Sequence, residues 1–68
     1  MTKKEYAECM KEMKQAGAAM QEERGGEFNF GEWAGESEDE ILLAETGHFP
    51  DEFTDDERDE LLDAYLGY

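Results

Sequence analysis

Fifteen acidic residues share positions 25–68 with a single base, Arg58, and this imbalance limits the chain more than any other feature. Residues 1–24 are balanced, with Glu5, Glu8, Glu12, Glu22 and Glu23 set against Lys3, Lys4, Lys11, Lys14 and Arg24. The C-terminal two thirds therefore carries the whole net charge of -14. A chain of 68 residues buries only roughly 60% of the surface its unfolded form exposes. A small core must thus hold crowded like charges together. With 38% hydrophobic residues and a mean hydropathy of -0.93, the composition approaches that of disordered proteins. Against disorder stand eight aromatic residues: Tyr6, Phe28, Phe30, Trp33, Phe49, Phe53, Tyr65 and Tyr68. We read residues 1–68 as one folded acidic domain of marginal stability.

Helix signals recur along the chain. Thr2 and Glu5 have the spacing of a capping box, in which each side chain satisfies a free backbone N–H of the other. Tyr6, Met10, Met13, Gly17 and Met20 follow at steps of four and three, which places them on one helical face. Gly25 and Gly26 end the pattern, so the first helix is expected over 3–23. Glu5, Glu8 and Glu12 line one edge of it, and Lys3, Lys11 and Lys14 lie toward the other. Phe28, Phe30 and Trp33, among glycines and glutamates, suit a short strand, a turn or an irregular aromatic cover. Ser37 and Glu40 form a second capping box ahead of Ile41, Leu42, Leu43 and Ala44, with Gly47 as a C-cap, predicting a helix over 38–46. A buried strand at 41–44 is the alternative, because a short apolar run fits both. Thr54 and Glu57 form a third box, with Asp55 and Asp56 where the helix dipole favours anions. The last helix is expected over 55–66, burying Leu61, Leu62, Tyr65 and Leu66. The fold class expected is mainly α: a compact three-helix single domain, with room for a short extended aromatic segment around 27–34.

Several chemistries are poorly served by these residues. One cysteine, Cys9, and one histidine, His48, cannot close a four-ligand zinc site. Cys9 beside the apolar stripe reads as a small core residue and His48 as a loop residue. No local motif joins Ser37, Cys9 and His48 into a nucleophile and base. Counted from Asp51, the sixth position of a calcium loop is Asp56 and not glycine, and Gly25-Gly26 lacks the lysine of a phosphate-binding loop. No catalytic residue, metal site or cofactor is assigned. A lone cysteine excludes an internal disulfide, which favours the cytoplasm, and the longest apolar run, 41–44, falls far short of the roughly 18 residues of a membrane span.

The acidic surface is the remaining candidate. On the last helix Asp56, Glu60 and Asp63 fall at i, i+4 and i+7, a row of like charges facing solvent, each pair costing a few tenths of a kcal/mol. The bland reading is a solvated face, yet solubility needs a net charge of only roughly 2 to 8. Such a surface repels nucleic acid and anionic membranes and is drawn to basic clefts. A globule of this length has an expected radius of gyration near 11 Å, so its diameter is roughly 28 Å. Fourteen charges correspond to about 24 Å of duplex DNA at one charge per roughly 1.7 Å. The crowded acids should also raise carboxyl pKa values on balance, so that mild acid stabilises the domain.

Its size, its segments Glu36-Ser37-Glu38-Asp39-Glu40 and 51–60, and its lone cysteine give the chain a character that resembles the small acidic DNA-mimic proteins of phages and mobile elements. Several anti-CRISPR and anti-restriction inhibitors belong to that class. The likeness is one of character and not of motif, so no residue role is transferred by it. It implies a non-enzymatic, stoichiometric inhibitor that occupies the DNA-recognition groove of a nuclease or CRISPR effector in a bacterial host's cytoplasm. A CRISPR surveillance complex, whose basic residues read the motif beside the target, is the favoured partner. The partner-binding candidates are Glu36, Glu38, Asp39, Glu40, Asp51, Glu52, Asp55, Asp56, Glu57, Asp59, Glu60 and Asp63. The alternatives are an acidic antitoxin or chaperone-like partner that masks a basic protein, and a structural phage protein.

Overall fold

A computed structural model describes residues 1–24 and 29–67, with the side chain of Arg24 also left aside. Helix α1 (Lys3–Arg24) is followed by α2 (Phe30–Glu36), α3 (Glu38–Thr46), a 3-10 turn (Pro50–Glu52) and α4 (Asp55–Leu66). The described residues contain no strand, so the domain is mainly α with four helices where three were expected. The additional helix is α2, and it replaces the extended aromatic segment at all described positions from 30 to 34; Glu27 and Phe28, like Gly25 and Gly26, lie outside the described residues. The reason is local and tertiary at once. The Asn29 side chain accepts from the Glu32 backbone N–H at 3.2 Å and caps the helix. Phe30 then stacks on Tyr65 at 5.3 Å between ring centroids, and Ala34 is fully buried.

The long α1 packs most extensively on α4 and also on α3. Its contacts with α4 step along both helices together. The Tyr6 hydroxyl donates to Glu60 Oε2 at 2.8 Å, Gly17 lies against the Tyr65 backbone, and Gln21 Nε2 donates to the Leu66 carbonyl at 2.8 Å. The last bond satisfies one of the carbonyls that every helix C-terminus leaves free. Gly17 marks the closest approach: a Cβ there would stand 1.8 Å from the Tyr65 carbonyl oxygen. Cys9, Met13, Ile41, Leu42, Phe53, Leu61 and Tyr65 form the core, with Tyr6, Met10, Met20, Phe30, Trp33, Leu62 and Leu66 packed around it.

The first and third predicted capping boxes are present. Thr2 Oγ1 accepts from the Glu5 N–H while Glu5 accepts from the Thr2 N–H, and Thr54 and Glu57 exchange the same pair. The second is absent. Ser37 joins α2 directly to α3, its N–H donates to the Trp33 carbonyl, and its side chain makes no cap bond. With φ -107° and ψ 18° it lacks the extended backbone that points a cap side chain at the next turn. At the other end of α3, Gly47 takes a left-handed φ of 74° and its N–H bonds the Leu43 carbonyl, as a C-cap glycine should. The run 41–44 is helical, with Ile41 and Leu42 buried and Leu43 and Ala44 turned outward. The radius of gyration is 11.4 Å, near the value expected, but the body is elongated, 37 × 19 × 19 Å.

Candidate acidic interaction face

The helix order places two strongly acidic N-termini side by side. Glu38, Asp39 and Glu40 occupy the first turn of α3, and Asp55, Asp56 and Glu57 that of α4. The free N–H groups of a first turn carry partial positive charge, so carboxylates are favoured there. Eight of the twelve candidates occupy first turns: these six, and Asp51 and Glu52 in the 3-10 turn. Helix ends favour these anions in part, Arg58 pairs with Asp55, and repulsion persists at Glu38, whose carboxyl pKa is raised by Asp59 and Asp39 after desolvation.

Glu38, Asp39, Asp55 and Asp59 surround an open hollow with Arg58 among them, and 35–40 lines an adjoining one that adds Glu36 and Glu40. Arg58 Nη2 pairs with Asp55, and that bond raises the guanidinium pKa further. Glu38 is half-buried and its carboxyl is pushed above the ordinary range, first by desolvation and then by Asp59 and Asp39, with Arg58 acting against them. The two hollows share Glu38 and Asp39, so six acids line this anionic concavity.

The other candidates divide by task. Glu57 caps α4, and Glu60 accepts the Tyr6 hydroxyl. Glu52 Oε2 accepts the Phe49 N–H at 2.7 Å and its Oε1 lies 3.2 Å from His48 Nδ1; these bonds, that with His48 foremost, hold its carboxyl below the ordinary range. Asp51, Asp56 and Asp63 are exposed. The outward row on α4 therefore exists as predicted, but its middle member is tied to α1. Sequence spacing could not show the Tyr6–Glu60 bond, whose partners stand 54 positions apart.

Among the described residues, no group of three or more His, Cys, Asp or Glu side chains is placed to hold a metal ion. Cys9 is buried, and desolvation followed by the charges of Glu12, Glu5, Glu8 and Glu52 raises its thiol pKa, which disfavours the nucleophilic thiolate. No described helix is long and apolar enough to cross a membrane. Comparison with family models, curated proteins and solved structures finds no match for this chain.

Proposed function

We propose that this protein is a non-enzymatic, stoichiometric inhibitor that presents duplex-like anionic charge to the DNA-binding groove of a CRISPR effector or nuclease. The observation that carries the reading is the one-sided charge. The surplus of acids belongs to 25–68, while α1 carries equal numbers of acids and bases. The surplus thus lies on the segments after α1, where Glu36, Glu38, Asp39, Glu40, Asp55 and Asp59 line two hollows and Asp51, Asp56 and Asp63 are exposed. Spread over the 37 Å long axis, fourteen net charges give one per about 2.6 Å. That charge is sparser than the one per roughly 1.7 Å of duplex DNA, yet of the same order. Such a surface competes for basic residues that grip phosphates, and the competition weakens with salt.

The test is a gel-shift panel of restriction nucleases and CRISPR surveillance complexes, each titrated with the protein at low and moderate salt. At least one member should lose DNA binding at near-equimolar inhibitor, with excess duplex DNA reversing the effect and salt weakening it. A dissociation constant that ignores salt overturns the electrostatic reading. The second reading, masking of a basic protein by an antitoxin-like partner, draws support from the aromatic side chain of Phe49, which is 64% exposed and which DNA mimicry does not need. Inhibition of no panel member, with recovery of a basic partner that binds no DNA, would select it.

A further inference from the structure

Phe49 is the most exposed of the large apolar residues, ahead of Met1 and Leu43. Its side chain is 64% exposed, yet its backbone is fixed on both sides. Its N–H donates to Glu52 Oε2 at 2.7 Å, its carbonyl accepts the Glu52 N–H at 3.0 Å, and the Phe53 N–H closes the turn on the Pro50 carbonyl at 3.1 Å. Pro50 adds its own restriction on the residue before it, which sits at φ -69° and ψ 147°. The ring therefore loses little backbone freedom when it binds something, the condition under which an aromatic side chain contributes most to an interface.

Its surroundings are anionic. Asp51 and Glu52 follow it in the turn and are exposed. Glu5 of α1 acts electrostatically on His48 beside it, and the cationic amino terminus lies near enough to lower the Glu52 pKa. Met1, 50% exposed, is thus at this end of the molecule too. An apolar projection thus stands beside exposed acids in the same turn, the arrangement of an interface anchor with a polar border. Charge selects the occupant. A second copy of this chain would bring another net charge of -14 against it, and an anionic membrane is repelled in the same way.

We infer that Phe49 is the apolar anchor of the protein's interface, inserted into a hydrophobic pocket bordered by lysines or arginines on a protein partner. The inference rests on the reading of an anionic surface that binds a basic partner. It adds that recognition is not electrostatic alone, which separates a protein's basic groove from any diffuse polycation. The partner side chain that receives the ring is aliphatic or aromatic, and its neighbours are cationic.

Two peptides of equal length and charge test this, one alternating Lys with Leu and one alternating Lys with Ser, titrated into the intact protein by NMR and calorimetry. Both should bind, both should weaken with salt, and only the Lys/Leu peptide should shift the Phe49 ring and the amides of Glu52 and Phe53. Phe49→Ser should lower affinity for the Lys/Leu peptide by about tenfold and leave the Lys/Ser peptide unchanged, while Phe49→Trp restores the difference. The melting temperature should not move with Phe49→Ser, because the ring is exposed. If both peptides bind and Phe49→Ser treats them alike, the anchor is wrong and the anionic surface stands. If neither binds, the anionic reading falls and takes the anchor with it.

Discussion

Gly17 leaves no room for a side chain, because the Cβ of any other residue would collide with the carbonyl of Tyr65, and a helix backbone on each side cannot rotate away. Gly17→Ala should therefore separate α1 from α4 and cost about 3 kcal/mol or more, the upper range for overpacking. Gly35 lies in α2 with no atom within 4 Å of the place an added methyl group would take, so Gly35→Ala should instead gain about 0.5 to 1 kcal/mol through helix propensity. Urea unfolding of the two variants checks the pair, and equal effects would mean that the crossing is looser than the distance implies. From the sequence Gly17 belonged to the apolar stripe by spacing alone. The reason that the position needs glycine became visible only with Tyr65 opposite it.

At the scale of elements, caps and cross-helix bonds decide which acids are structural. Thr54→Ala should lose about 1 kcal/mol, since Thr54 Oγ1 accepts from the Glu57 N–H at the start of α4. Ser37→Ala should cost little through capping, because Ser37 makes no side-chain cap bond. Thermal melts of both variants distinguish two capping signatures that look alike in sequence. The Tyr6–Glu60 bond joins α1 to α4, and burial, the bond itself and the charges of Glu60 and Glu57 raise the phenol's pKa well above its usual 10. A raised folded pKa gives stability that is complete below the unfolded value of about 10 and is lost as pH rises beyond it. The protein should thus weaken in strong alkali, and Tyr6→Phe should weaken less steeply there while losing about 1 kcal/mol at neutral pH. Identical alkaline melts for the two proteins would remove Tyr6 from the account.

The whole molecule should have a stability maximum in mild acid. Glu5 and Glu52 have lowered pKa values because hydrogen bonds to Thr2 and to His48, respectively, favour their anions. Their contribution is present above the unfolded carboxyl value, about 4.3, and is lost as pH falls through the lower folded values. Glu38 is shifted the other way by desolvation and by Asp59 and Asp39, so its contribution is present below the unfolded value and declines as pH rises through the folded one. The rise expected on balance from crowding is seen at Glu38, while Glu5 and Glu52 shift the other way through their hydrogen bonds. Melting midpoints should climb from pH 8 toward pH 5, fall again below about pH 4, and rise with salt at pH 8 as repulsion is screened. Glu38→Gln should raise the midpoint at pH 8 and flatten the climb. A midpoint highest at pH 8 and lowered by salt would show that attraction, not repulsion, governs the charged surface.

The extents of α1, α3 and α4 were legible to within a residue because capping and apolar periodicity are local: Thr2 with Glu5, Thr54 with Glu57 and Gly47 act within one turn of their partners. The acidic surplus and its restriction to 25–68 were equally plain. Tertiary structure was needed for the helical state of α2, since seven residues, two of them glycine, add to the local Asn29 cap the packing of Phe30 on Tyr65 and Ala34 in the core. It also sorted the candidate acids, giving Glu60 a partner in Tyr6 of α1 and gathering Glu38, Asp39, Asp55 and Asp59 around Arg58. Periodicity states which side of its own helix a residue occupies. What stands across from that side depends on how helices distant in sequence cross, and here that crossing is set by the contact of Gly17 with Tyr65.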